Sequence, residues 1–310
     1  MSDAPGKLVL LGEYAVLEGH DAVVTAVNRR ASARATASAT PRVWAKDLGI
    51  EGIPVAADPR LQWAASILGE AHVDVSFDTA EFFLHAGGPK LGLGSSAALV
   101  VALVAELHPG ASVQTLFKLS LEAHAQAQHQ LGSGVDVAAS VYGGLLRYRI
   151  GPVVERLQWP KDLHMLAVWS GEPSSTPDML RLLQQYKDRD AAGYHALMQQ
   201  LGEISGFGCA ALRQGDARQF CAAVERYHAA LAQLGNAAGM PIVSPAHGRL
   251  AQLVGAQGGV YKPSGAGGGD LGVAFCSAAQ IALDLQSAIR AQGYTVIPLT
   301  QDPQGVRTRG

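Results

Sequence analysis

The chain has 310 residues, 48% of them hydrophobic and 16% charged, and a formal net charge of −2. That length suits about two domains with full cores, and without a basic arm or Lys/Arg cluster the charge excludes broad nucleic-acid or membrane-surface binding. Cys209, Cys221 and Cys276 are widely spaced and read as reduced thiols, and no apolar run approaches the ~18 residues of a membrane span, so a cytoplasmic protein is expected.

In chain order, Lys7–Leu11 reads as a strand, Gly12-Glu13-Tyr14-Ala15 turns it, and Ala22–Val27 and Arg30–Ala39 continue as strands. Gln62–Ala71 has helical periodicity, and Val73–Phe77 alternates as a strand does. Lys90-Leu91-Gly92-Leu93-Gly94-Ser95-Ser96-Ala97-Ala98 opens a helix to about Leu107. A second helix is expected near Val113–Gln130, ending at Gly132-Ser133-Gly134. A further helical turn follows at Val135–Ser140, then a strand at Leu145–Ile150. Composition shifts after Pro152. A strand at Leu163–Trp169 precedes mostly helix from Asp178 to about Leu234, and another helix follows Ser244-Pro245-Ala246. Strands at Val273–Cys276 and Tyr294–Leu299 flank a helix near Ala278–Ala291. This mixture predicts an α+β fold in two domains, 1–158 and 159–310, with phosphate loops meeting at a cleft.

Two glycine-rich stretches carry most of the chemistry. In Gly92–Ala97, glycines let backbone N–H groups approach a polyanion, and the helix start that follows adds free donors and a positive dipole end. Ser95 or Ser96 could cap that helix or hold a magnesium ion between phosphates. Far downstream, Ser264-Gly265-Ala266-Gly267-Gly268-Gly269-Asp270 can wrap a phosphate or close over a substrate. Five glycine or alanine residues in a row exceed what one tight turn requires.

Single residues are more ambiguous. Lys7 can neutralise phosphoryl charge in a transition state, or it can be a solvated terminal lysine. Asp136, at a helix head after Ser133-Gly134, suits a base or metal ligand as well as dipole compensation. Ser174, Ser175 and Thr176 can bind an anionic acceptor, and Ser175 or Thr176 can also cap the helix that follows. His20, His124 and His129 lack ligand spacing for a metal, and for an adenine pocket only the region of Trp63 stands out.

Pro5-Gly6-Lys7 through Glu13-Tyr14-Ala15-Val16, then Gly92–Ala98, then Ser264–Asp270 with Gly272, in this order, resemble the three motifs of the GHMP kinase superfamily. The resemblance spans nearly the whole chain. It implies a ribosomal-protein-S5-type N-terminal domain, a ferredoxin-like C-terminal domain, and ATP and Mg2+ bound between them. Within the superfamily the chain is most similar to the branch that phosphorylates 5-phosphomevalonate, on Gly12–Glu18, Asp78–Phe82, Lys90, Trp169-Ser170-Gly171 with Ser174-Ser175-Thr176, and Lys262-Pro263-Ser264. Mevalonate kinases usually carry a magnesium-ligating glutamate about three helical turns before their catalytic aspartate. Here that position falls near Ala125, with Glu122 the nearest acid.

The resemblance makes Lys7 and Asp136 catalytic. It gives Lys90, Gly92, Leu93, Gly94, Ser95, Ser96 and Ala97 to ATP, with Ser96 also on the metal. Lys7, Tyr14, Ser133, Gly134, Ser174, Ser175, Thr176, Lys262, Ser264, Gly265, Ala266, Gly267 and Gly268 fall to the acceptor. A doubly charged phosphate plus a carboxylate demands several cations, for which Lys7, Lys90, Lys262 and Arg147 or Arg149 are the candidates. Mevalonate or another small acceptor, a related decarboxylase, and a nucleotide-binding protein without turnover remain alternatives. The expected assembly is a monomer or homodimer, without nucleic-acid or membrane partners.

Overall fold

The structure is a computed structural model that describes residues 1–127 and 132–308. His129 and the expected helix end at Gln130 lie outside the described residues. In chain order the elements are β1 (Ser2–Leu11), β2 (Ala22–Ala37), β3 (Val43–Ala45), β4 (Ile50–Ile53), α1 (Gln62–Leu68), β5 (Val73–Asp78), α2 (Ser95–Leu107), α3 (Val113–Ala127) and α4 (Val135–Tyr142). They continue with β6 (Leu145–Arg149), β7 (Val153–Leu157), β8 (His164–Trp169), α5 (Thr176–Arg189), α6 (Ala191–Arg213), α7 (Ala217–Ala238), α8 (Pro245–Ala256), β9 (Val260–Pro263), β10 (Leu271–Cys276), α9 (Ala279–Ala291), β11 (Thr295–Ile297) and β12 (Arg307–Thr308). The two strands expected over Ala22–Ala39 are one continuous strand to Ala37, because no glycine or proline breaks the join at Asn28-Arg29.

Internal contacts divide the chain into two compact units, neither of which is one continuous stretch. The first comprises Met1–Lys7, Thr25–Gly144 and Gln301–Gly310; the second comprises Leu8–Val24 and Leu145–Thr300. The strand order β12-β1-β2-β5-β3-β4 organises the first. β2 and β5 are antiparallel with Ser32 opposite Asp78, whereas β3 runs parallel to β5 with Val43 opposite Val75. α2 is the spine of this unit. Ala97 to Ala105 are all buried, as expected of a helix apolar around its whole circumference. Val100, Val104 and Leu116 form a cluster on which Trp63 and Ile67 of α1 pack.

In the second unit, the antiparallel sheet β11-β8-β10-β9 has α7, α8 and α9 packed against it. Its core joins Val168, Leu250, Val254, Tyr261, Leu285 and Ile289. β10 is buried along its whole length, and Leu271–Cys276 reads accordingly as an unbroken apolar strand rather than an alternating one. The segment entering β10 is the second glycine-rich stretch, so its downstream end is fixed by a core strand.

Candidate active site

In the first unit three segments converge on Lys7. A Cβ on Gly6 would lie 2.7 Å from the Leu93 carbonyl and 2.6 Å from the Phe82 ring, so only glycine permits this approach. The Lys7 N–H then donates to the Leu93 carbonyl at 2.8 Å. From α4 the Ser140 hydroxyl donates to the Pro5 carbonyl at 2.7 Å, which docks that helix on the same stretch of chain. Lys7 is only 7% exposed, and its Nζ lies 3.6 Å from Oδ1 of Asp136 in the first turn of α4. A Cβ on Gly94 would sit 3.1 Å from Lys7 Cε and 3.3 Å from Asp136 Oδ2, so the glycine borders both groups.

Neither serine caps α2. Gly94, with φ 74°, takes the N-cap, and Ser95 and Ser96 fall in the first turn, where their backbone is already helical. The first helical bond is Ala98 N–H to Gly94 C=O at 3.1 Å. The N–H groups of Ser95, Ser96 and Ala97 and both serine hydroxyls have no hydrogen-bond partner among the described residues. Four elements of anion recognition thus coincide: free N–H groups, hydroxyls, the dipole end and the nearby Lys7 ammonium. At the head of α4, Gly134 (φ 81°) is the N-cap and the Ser133 hydroxyl accepts from Val135 N–H at 3.3 Å. Asp136 therefore sits inside the first turn, not at the cap.

Lys90 is exposed, bridges Phe83 across a short pairing, and holds its Nζ 5.7 Å from the Phe83 ring centre. Trp63 packs on Phe77, with ring centres 5.5 Å apart, and belongs to the core. His124 on α3 is buried. Desolvation pushes its imidazole below the usual value, against the pull of the Asp136 charge, and Nε2 has no partner among the described residues.

In the second unit the loop Ser264–Asp270 is gripped from several elements. Lys262 is completely buried, with its Nζ donating to Glu13 Oε1 and at 2.6 Å to the Pro263 carbonyl. Glu13 Oε1 also accepts from Gly265 N–H at 3.3 Å, and Tyr227 donates to the Glu13 carbonyl at 2.7 Å. Ser264 donates to the Val9 carbonyl at 2.9 Å. The hydroxyls of Tyr14 and Ser174 donate to the carbonyls of Ala266 and Gly267. Gly265, Gly267 and Gly268 all have positive φ, and a Cβ on Gly267 would meet the Ile242 carbonyl at 2.5 Å. Ser175 is the N-cap of α5 by position, without a side-chain cap bond, and Thr176 is the first helical residue.

Arg147 and Arg149 do not stand ready for a substrate. Both pair with Asp21, at 2.9 and 2.8 Å, and Arg147 also reaches Glu155 at 3.2 Å. Both guanidiniums are engaged by carboxylates where they lie.

Among the described residues no three His, Cys, Asp or Glu side chains cluster as a metal site. The Ser96 hydroxyl and the Asp136 carboxylate are hard oxygen donors at two helix starts. Such a sparse set suits Mg2+, which takes one or two protein ligands and completes its shell with phosphates and water.

A lysine and a carboxylate beside a glycine-bounded helix start, on this α+β fold, define a small-molecule phosphotransferase. Residues 61–144 match the GHMP kinases N terminal domain family, and the chain belongs to the GHMP kinases. In particular it is 30% identical to the phosphomevalonate kinase of Streptomyces sp. (strain CL190), across 98% of this chain and 97% of that one. A Listeria innocua structure, the Lin0012 protein, superposes with a TM-score of 0.88 at 26% identity, covering 100% of this chain and 99% of its own. The Streptococcus pneumoniae phosphomevalonate kinase in complex with phosphomevalonate and AMPPNP shares the fold, with a TM-score of 0.84 at 21% identity over 97% of this chain and 100% of its own.

Sequence reasoning did not find the roles of Glu13 and His247. Glu13 meets Lys262 across 249 residues of chain, and no spacing rule connects them. His247 lay in a helix legible only by its Ser-Pro start.

Proposed function

We propose that this chain transfers the γ-phosphoryl group of ATP to the phosphate of 5-phosphomevalonate, giving the 5-diphosphate. The observation that carries the reading is the Lys7–Asp136 pair set beside Gly94 and the free N–H groups that begin α2. The full-length similarity to a phosphomevalonate kinase selects the acceptor.

In this reading Gly92, Leu93, Gly94, Ser95, Ser96 and Ala97 cradle the ATP phosphates with backbone N–H groups, and Lys90 adds a cation at the rim. Lys7 offers its ammonium to the charge that spreads over the migrating phosphoryl group. Asp136 holds that ammonium in place. Mg2+, when bound through Ser96 and Asp136, supplies charge neutralisation between the phosphates. The acceptor's phosphate is already ionised, so no strong general base is needed; a hydroxyl acceptor such as mevalonate would instead require Asp136 to take its proton. For the acceptor, the first unit offers Ser133 and Gly134, and the second offers Ser175, Thr176 and the loop Ser264 to Gly268, with Tyr14 and Ser174 bonded to that loop. Lys262, ion-paired with Glu13, acts there through the loop it supports. The N-terminal portion, 1–158, takes the nucleotide, and 159–310 completes the acceptor side. In this reading the protein is a cytoplasmic monomer or homodimer; among the described residues no helix is long and apolar enough to cross a membrane.

The test is coupled ADP release with ATP and Mg2+, comparing 5-phosphomevalonate, mevalonate and mevalonate 5-diphosphate. Turnover confined to 5-phosphomevalonate is expected. Turnover with mevalonate would make Asp136 a base and move the reaction one phosphorylation earlier; CO2 release from the diphosphate would make the chain a decarboxylase. ATP binding without turnover would leave a nucleotide-binding protein.

A further inference from the structure

The glycine-rich loop Ser264–Asp270 carries little conformational restraint of its own, yet the carbonyls of Ala266, Gly267, Gly269 and Asp270 are each met by a donor from elsewhere in the second unit. Tyr14 donates to Ala266, Ser174 to Gly267, and Nε2 of His247 lies 3.0 Å from the Gly269 carbonyl. A carbonyl only accepts, so His247 carries its proton on Nε2. Its Nδ1, 2.8 Å from the Tyr261 hydroxyl, is then the acceptor of that hydroxyl. Both ring nitrogens of this buried, neutral imidazole are thereby used.

Backbone strain points to the same place. Among the described residues only Tyr14 (φ 64°) and Asp270 (φ 55°) are non-glycine residues with positive φ. Tyr14 grips the loop's middle. Asp270 closes its end, donating from N–H to the Glu172 carbonyl at 2.7 Å and accepting Ser174 N–H on Oδ1 at 3.2 Å. Residues hold such conformations where the surroundings over-determine them, and they concentrate at sites whose geometry matters. With the carbonyls tied down, the N–H groups of Ala266, Gly267 and Gly269 are left without a partner among the described residues.

We infer that Tyr14, Ser174 and His247 are positioning residues: they hold the loop's carbonyls so that its free N–H groups are pre-arranged for an anionic acceptor, and their polar atoms are not themselves acceptor contacts. This deepens the proposed function and rests on it for the identity of the anion. It reassigns two hydroxyls that the sequence motifs placed against the substrate. Preorganised N–H groups save the acceptor the ordering of a flexible loop.

The test is amide hydrogen exchange of the whole protein over Ser264–Asp270, in Tyr14→Phe, Ser174→Ala, His247→Leu and His247→Gln, beside steady-state kinetics. The Ser264, Gly268 and Asp270 amides are bonded in the native protein and report loop order without substrate. Protection there is expected to fall about tenfold in the Phe, Ala and Leu variants, the loss expected for one neutral hydrogen bond. KM for 5-phosphomevalonate should rise by a similar factor while KM for ATP holds, and His247→Gln, which keeps a donor, should restore both. Unchanged protection in Tyr14→Phe and Ser174→Ala would overturn the inference, and a raised KM with unchanged protection would make the hydroxyls direct acceptor contacts. Should His247→Leu fail to fold, those two variants still decide. A wild-type protein inactive on 5-phosphomevalonate would overturn the proposed function while the exchange data still judged the loop.

Discussion

At the scale of single residues, charge and burial separate groups that the sequence could not rank. Lys7 and Lys262 are both buried lysines next to a carboxylate. Lys262 has two oxygens on its ammonium and no exposure, whereas Lys7 meets one half-open carboxylate at a looser 3.6 Å. The looser pair leaves donor capacity for a phosphoryl oxygen. Lys7→Ala is therefore expected to lower kcat by about a hundredfold or more, the scale of losing one charge-stabilising group, with circular dichroism unchanged; a fall of only a few-fold would remove Lys7 from the mechanism. His247 yields a stability prediction. Desolvation pushes its imidazole down to about 4, helped by the charges of His228 and Lys262 and opposed by the Gly269 carbonyl. A base with a folded-state pKa below its unfolded value near 6.5 binds fewer protons when folded, so stability is complete above pH 6.5 and falls as the pH drops towards 4. The loss is on the order of 3 kcal/mol. Denaturant titrations at several pH values should show this slope in the native protein and a shallower one in His247→Gln.

At the scale of elements, the start of α2 shows how a helix can be placed to within one residue. Its apolar face is its whole circumference, so the buried run from Ala97 to Ala105 cannot slide without exposing core. Gly94 then provides the left-handed step, leaving Ser95 and Ser96 inside the helix with free hydroxyls. Gly94→Ala would force a Cβ into a backbone region that L-residues disfavour and to within 3.1 Å of the Lys7 side chain. We expect a stability loss of about 1 kcal/mol from the backbone, and a disproportionate drop in kcat because Lys7 is displaced. Thermal unfolding and kinetics on one preparation check both; loss of stability alone would separate Gly94 from the Lys7–Asp136 geometry.

At the scale of the whole molecule, the chain's two ends belong to the first unit and are locked there by buried charge. Arg30 on β2 pairs with Asp3 and Asp302, and its guanidinium also donates to the Gly305 carbonyl at 2.6 Å. All three side chains are nearly buried. Removing one partner of such a group strands the others, so Asp302→Ala is expected to cost about 3–5 kcal/mol, seen as a lowered denaturation midpoint. A loss below about 1 kcal/mol, typical of an exposed pair, would show that this cluster does not hold the terminal strand.

Much of this protein was legible before any coordinates. Local sequence determined the order of strands and helices, the apolar helix α2, the core strand β10 and the two glycine-rich loops, because periodicity and backbone freedom are properties of neighbouring residues. The three ordered motifs determined the kinase family. What local sequence could not determine is which distant groups neutralise one another. Arg147 and Arg149 looked available and are matched by Asp21; Lys262 looked like a substrate cation and is held by Glu13; Tyr14 and Ser174 looked like substrate contacts and bond the loop. The interleaving of the two units along the chain was equally invisible. Ion pairing and hydrogen bonding depend on distances of a few ångströms between residues far apart in sequence, and only tertiary packing sets those distances.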